Sequence, residues 1–234
     1  MNKIIASFVL LSLALIACKD DKKIEESTIQ EHSTEEKIKS LKVSKITEDQ
    51  LPNAAAFQGI FKEAYEWEDM TGKNVAILSE TGIFRNSNIK HENDGSDAEL
   101  FAYSYRIEGE MTPPNWKVYD YIRDCPVDIV AEFIDNTFQI TDLDKNGIAE
   151  VWMMYKTDCH GDVSPSDMKI IMYEGYQKFA MRGENKIEFG RDDDNNVRYV
   201  GGEYKFDEAF LQGPEAFRKF AKQLWNKNIM AGSK

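Results

Sequence analysis

The sequence predicts a mainly antiparallel β domain, a meander of hairpins of sandwich or open-barrel type, closed by a C-terminal amphipathic helix; an α+β arrangement is the alternative. Three observations carry this. Residues 100–107 alternate with a period of two, so that Phe101, Tyr103, Tyr105 and Ile107 share one face. Turn signals recur between apolar segments: Thr71-Gly72, Asn93-Asp94-Gly95, Pro113-Pro114-Asn115, Asn146-Gly147 and Glu174-Gly175. Convincing helical spacing occurs at the C-terminus, where Phe217, Phe220, Ala221 and Leu224 recur with Lys219 and Lys222 between them.

Residues 1–17 open with Lys3 and continue as a short apolar run over residues 4–16, the pattern of a secretory leader. The run is too short to span a bilayer comfortably. Leu15-Ile16-Ala17-Cys18 resembles the bacterial lipobox, which implies that Cys18 receives lipid and becomes the first residue of the mature chain. Residues 18–45 then form a charged tether of Lys, Glu, Asp, Ser and Thr without an aromatic residue, a composition that cannot bury a core. As a flexible chain it would hold the domain about 30 Å from its anchor. Lys19-Asp20-Asp21 is similar to the Lys-acid-acid export signal of some Bacteroidetes-type lipoproteins. That similarity implies an outer-membrane protein facing the cell surface rather than the periplasm.

Residues 46–234 are expected to make a single β-rich domain, with strands at 75–78, 100–107, 116–122, 127–133, 151–156 and 168–173. Residues 168–173, Glu174-Gly175 and residues 176–181 read as a tight hairpin. A second hairpin is expected from Lys186 to Phe206 around a solvated tip at residues 192–196. A short helix is an open alternative for residues 52–65. Gly213-Pro214 starts the terminal helix, with Glu215 beside the positive end of its dipole.

Charge excludes some functions. The chain carries 29 Lys and Arg against 41 Asp and Glu, a formal net charge of −12. Nucleic-acid binding needs clustered cations, so it is not expected. Anionic lipid would repel the domain, which leaves acyl chains as the means of membrane attachment. With Cys18 assigned to lipid, Cys125 and Cys159 remain. Outside the cytoplasm such a pair forms a disulfide, worth roughly 3–4 kcal/mol in the chain-entropy account; two buried free thiols are the alternative.

The sharpest chemical motif is Asp142-Leu143-Asp144-Lys145-Asn146-Gly147-Ile148-Ala149-Glu150. Oxygen-bearing side chains stand at loop positions 1, 3, 5 and 9, and glycine at position 6 permits the sharp turn. A hard cation such as Ca²⁺ needs six to eight oxygens around one point. The expected ligands are Asp142, Asp144, Asn146, the Ile148 carbonyl and Glu150. Position 12 is Met153, so an EF-hand is excluded. The loop looks instead like the calcium turn of β-propeller and cell-surface repeat families, with Asn146 and Glu150 replacing aspartates of that pattern. Such an ion is structural: it neutralises crowded carboxylates and pins a strand register.

Other features are weaker. Asp158, Cys159, His160 and Asp162 are better read as a disulfide-pinned polar turn than as a metal or catalytic site. His32 falls in the tether and His91 in a polar loop. Trp67, Trp116, Trp152 and Trp225 could stack on sugars, but core packing is the commoner use. No Gly-x-Ser-x-Gly, His-Glu-x-x-His or P-loop pattern is present, and no catalytic residue is assigned.

From Phe138 through the Asp142–Glu150 loop and Cys159-His160-Gly161-Asp162 to Glu174-Gly175, the chain resembles a family of small flavobacterial-type lipoproteins labelled surface polysaccharide biosynthesis protein. The resemblance implies a link to surface glycans and carries no catalytic residues. The resulting expectation is a lipid-anchored envelope lipoprotein with a structural calcium loop, a non-catalytic binding or assembly factor whose partner is a surface glycan or envelope protein. The rival expectation is an exported glycan hydrolase or lyase, using carboxylates that the sequence does not single out.

Overall fold

The computed structural model describes residues 41–108 and 114–230. The expected leader, Cys18 and most of the expected tether lie outside the described residues. The fold is mainly antiparallel β, in three sheets without a closed barrel, with a C-terminal helix.

The first sheet is a pure meander. β1 (Lys42–Ile46), β2 (Ile60–Asp69), β3 (Gly72–Phe84), β4 (Ser96–Arg106) and β5 (Trp116–Cys125) lie side by side in chain order. The second sheet takes β6 (Ile129–Phe133), β7 (Gln139–Thr141), β8 (Glu150–Cys159), β9 (Asp167–Glu174) and β10 (Gln177–Glu184). β11 (Lys186–Arg191) and β12 (Val197–Gly201) form a separate ribbon, and β13 (Tyr204–Phe206) returns to the free edge of β10. β6 and β7 share one edge of β8: β6 pairs with its C-terminal half and β7 with its first three residues.

The core is layered. Trp67, Leu78, Leu100 and Val118 of the first sheet meet Val151, Met153, Tyr155 and Ile171 of the second. The opposite face of the second sheet, with Trp152, Met154, Met168, Ile170 and Met172, is covered by α1 (Glu208–Gln212) and α2 (Glu215–Asn228) through Phe210, Phe217, Ala221, Leu224 and Trp225. β8 is therefore apolar on both faces, which is why it reads as a continuous run rather than an alternation. The outer face of the first sheet, with Val75, Ile77, Phe101, Tyr103 and Tyr105, packs under Leu51, Ala55 and Phe57. All four tryptophans are buried in these layers, as core packing requires.

Cys125 and Cys159 form a disulfide with Cα atoms 5.8 Å apart. It joins the end of β5 to the end of β8, and so ties one sheet to the other. The helix starts where Pro214 and Glu215 place it. The Arg218 Nη1 group donates to the carbonyls of Phe210 (2.6 Å), Leu211 (3.2 Å) and Gly213 (2.8 Å), closing the end of α1 onto α2.

Four expectations need correction. The expected tether does not run to residue 45: Lys42 through Lys45 belong to β1, where these four side chains are exposed while the backbone pairs with β2. Exposure on an edge strand makes composition blind to it. Residues 52–65 hold no α-helix. A 3₁₀ turn (Glu48–Gln50) precedes them and β2 begins at Ile60, its period masked by a bulge between Phe61 and Glu63. The first hairpin turns on Gly175-Tyr176 rather than Glu174-Gly175, because Gly175 takes φ +53° and Glu174 pairs with Gln177. The second hairpin ends at Gly201-Gly202, both left-handed in φ, so that residues 204–206 leave it for β10.

Candidate metal centre

The loop between β7 and β8 brings Asp142, Asp144 and Glu150 together, with one carboxylate oxygen of each lying within 4.8 Å of the others. Lys145 and Gly147 both adopt positive φ, +61° and +83°, which curls the chain enough to converge the side chains. A Cβ on Gly147 would come within 2.5 Å of the Met70 sulfur, so the position also needs glycine for space.

Glu150 is fully buried. It accepts from Thr141 Oγ1 at 2.6 Å and from the Leu143 amide at 3.0 Å, so it folds the loop back on itself as a local cap. Thr141 is itself fixed by Trp152 Nε1 at 2.8 Å. Burial pushes the Glu150 carboxyl up to about 7; the hydrogen bonds from Thr141 and Leu143 oppose this, and the charges of Asp144 and Asp142 add to it.

Sequence reasoning missed a fourth carboxylate. Glu174, at the end of β9, is the direct cross-strand partner of Glu150. Burial also raises the Glu174 pKa, with further upward pushes from Asp144 and Asp142 and an opposing hydrogen bond from Asn146. Like charges directly opposite in a sheet destabilise it. No Lys or Arg among the described residues forms an ion pair with any of the four acids. One oxygen of Asp142, Oδ1, is buried without a hydrogen-bond partner. The only sequence signal for Glu174 was its place at a predicted turn; the pairing register that brings it to Glu150 is a property of the sheet.

Asn146 is placed differently from the three acids. Asn146 braces the cluster through its amide nitrogen, which donates to Asp144 Oδ2 (3.1 Å) and Glu174 Oε1 (2.5 Å). Its Oδ1 accepts from the Ile148 amide at 2.8 Å. A rotated amide would aim the oxygen at the carboxylates instead.

The loop is also fastened to the opposite sheet. The Met70 amide, in the β2–β3 turn, donates to the Gly147 carbonyl at 2.9 Å, and the Ala149 amide donates to Asp69 Oδ2 at 3.0 Å. Asp69 further accepts from Trp67 Nε1, the Thr71 amide and hydroxyl, and Asn74 Nδ2. One carboxylate thus organises a turn in the first sheet and a loop of the second.

Elsewhere, His160 is part of a polar turn: Nδ1 lies 2.8 Å from the Asp162 carbonyl, and the neighbouring Cys159 is held in the disulfide. The His91 side chain is buried within its polar loop, with Nε2 2.7 Å from Asp97 Oδ2. Asp192 accepts from the amides of Asp194 and Asn196, as expected of a hairpin tip.

Fold and site together define an antiparallel two-sheet domain with a helical cover and an all-oxygen acidic loop between its sheets. Comparison with protein-family models, curated proteins and solved structures finds no match.

Proposed function

We propose that this chain is a lipid-anchored envelope protein whose domain carries a structural Ca²⁺ in the Asp142–Glu150 loop, and that it binds or assembles surface glycans without catalysis of its own. The observation that carries the cation reading is the convergence of Asp142, Asp144 and Glu150, with Glu174 opposite Glu150 on the next strand and no basic partner for them among the described residues. Four carboxylates in this position can hold protons or share a cation. An all-oxygen donor set selects a hard ion, Ca²⁺ or Mg²⁺, over zinc or copper. Asp142, Asp144 and Glu150 would supply carboxylate ligands, Ile148 its carbonyl, and Asn146 its amide oxygen after rotation. The ion would be structural because its loop is bonded to both sheets at one end of β8, while the disulfide ties them at the other.

Attachment rests on the likeness of residues 15–18 to a lipobox, and the disulfide supports an oxidising address. The glycan link rests on the family resemblance of residues 138–175. Among the described residues no helix is long and apolar enough to cross a membrane.

Two measurements test this. Calcium titration by calorimetry should give one site, abolished by Asp144→Ala. Mass spectrometry of the native product should show an acylated amino terminus at Cys18. An intact, unacylated start at Met1 would overturn the anchoring, and heat-silent titration with unchanged melting would overturn the ion.

A further inference from the structure

On one side of the molecule the first sheet stops two strands short of the second. β5 lies above β9: Trp116 stacks on Tyr173 with ring centroids 4.4 Å apart, and Asp120 Oδ2 accepts from Lys169 Nζ at 2.6 Å. β5 is the last strand of its sheet, and no strand among the described residues pairs with its outer edge. The second sheet continues past it through β10 and β13. The core-facing side of β10 therefore emerges beside an unpaired strand edge, with the place of one further strand open above it.

This step is lined with cations. Lys169, Arg182 and Lys205 are successive cross-strand neighbours on β9, β10 and β13, and Lys178 lies further along β10 on the same side. Lys178, Arg182 and Lys205 are exposed. Like charges directly opposite in a sheet destabilise it. Lys169 is answered by Asp120, which also accepts from the Tyr155 hydroxyl. Lys178, Arg182 and Lys205 form no ion pair among the described residues. Desolvation lowers the Lys178 pKa; the charges of Arg182 and Lys169 add to this, and those of Asp120 and Asp207 oppose it. The acids of the same face are engaged or displaced: Asp207 caps the amides of Phe210 and Ala180, and Asp167 and Glu184 stand opposite one another one row further on. On the other face of β5, Tyr119 and Tyr121 are exposed, with Tyr119 stacked on Phe101.

We propose that the outer edge of β5 takes up an extended acidic peptide segment of a partner protein as an added strand, its alternate carboxylates facing Lys178, Arg182 and Lys205 and its intervening side chains lying beside Tyr119 and Tyr121. Such a strand sits about 4.8 Å from β5 and about 10 Å above β10, the spacing at which facing side chains of two sheets meet. Main-chain hydrogen bonds supply affinity, and the cation row selects acidic side chains. This surface goes beyond the calcium and glycan reading and depends on neither.

The test is fluorescence anisotropy of labelled probes on the full chain, paired with amide hydrogen exchange. The probes are an octapeptide alternating Thr and Glu, its counterpart with Lys for Glu, the acidic octapeptide N-methylated at every residue, and an oligomer of galacturonate. The acidic octapeptide should bind saturably, more weakly as salt rises, and should slow exchange within β5. The lysine counterpart should not bind. The N-methylated peptide, which keeps the acids and loses every backbone donor, and galacturonate should bind at least about tenfold more weakly. Arg182→Glu and Lys178→Glu should each weaken binding about tenfold, and Lys227→Glu at the end of α2 should leave it unchanged. Failure of the acidic octapeptide to bind, equal binding of the N-methylated peptide or of galacturonate, or binding without slower exchange in β5 overturns the proposal. Those comparisons use the wild-type chain, so they decide the matter even if a variant does not fold. Wild-type affinity in both charge-reversal variants overturns it as well.

Discussion

Glu150 gives the most discriminating experiment on the cation loop. Its pKa rises from an ordinary 4.5 to about 7 in the folded, ion-free protein. The folded state therefore binds more protons than the unfolded state between those values. Its contribution to stability is fully present below pH 4.5 and is lost as pH rises through 7. A displacement of this size corresponds to about 3 kcal/mol at neutral pH. Glu174 shifts in the same direction, so it steepens the trend. A bound cation reverses the sign, because it needs the ionised carboxylates and displaces their protons. The gap between melting temperatures in calcium and in chelator should thus be small at pH 5 and widen by pH 7.5. For a domain of this size about 3 kcal/mol corresponds to roughly 6–12 °C. Glu150→Gln should raise the melting temperature in chelator at pH 7.5, lower it in calcium relative to wild type, and flatten both pH profiles. Differential scanning calorimetry at saturating calcium and with excess chelator, from pH 5 to 7.5, reads all of this. A calcium increment that does not grow with pH, or a glutamine variant equally destabilised in both conditions, would refute the reasoning.

Further outcomes follow from the packing. Replacing Cys125 and Cys159 by serine should cost about 4 kcal/mol in the chain-entropy account, read as a lower urea midpoint, and added reductant should then have no further effect. Phe217→Ala empties a fully buried site between α2 and Trp152 and should cost about 3–5 kcal/mol by the same assay, with loss of near-ultraviolet dichroism. Gly183→Ala places a Cβ 1.9 Å from the Glu203 carbonyl oxygen, so β13 must leave β10; hydrogen exchange of residues 204–206 should accelerate far more than that of β3 or β4. Asp69→Ala orphans the Trp67 indole and the Thr71 and Ala149 amides, and should cost about 2–4 kcal/mol while also weakening calcium binding through the loop it fastens.

Much of the fold was legible because its signals are local. The period of two at residues 100–107 is β4, the glycines at 147 and 175 mark turns, and the helical spacing from Phe217 to Leu224 is α2 packed on a sheet face. Asp142, Asp144 and Glu150 were legible for the same reason: a curl of nine residues fixes their convergence whatever surrounds it. β1 was hidden because Lys42–Ile46 is nearly all exposed and gains its order only by pairing with β2. β2 was hidden by its bulge, and β13 by a pair of glycines that redirect the chain to another sheet.

The amino-acid order by itself determined the antiparallel class, the terminal helix, the acidic curl and the chemical possibility of one disulfide. Tertiary structure alone decided which distant strands meet. It set Glu174 opposite Glu150 across the β8–β9 ladder and anchored the loop to Asp69 and Met70 of the other sheet. The division is physical: turn geometry and side-chain period act over a few residues, whereas burial, strand register and uncompensated charge depend on groups that only folding brings within a few ångströms.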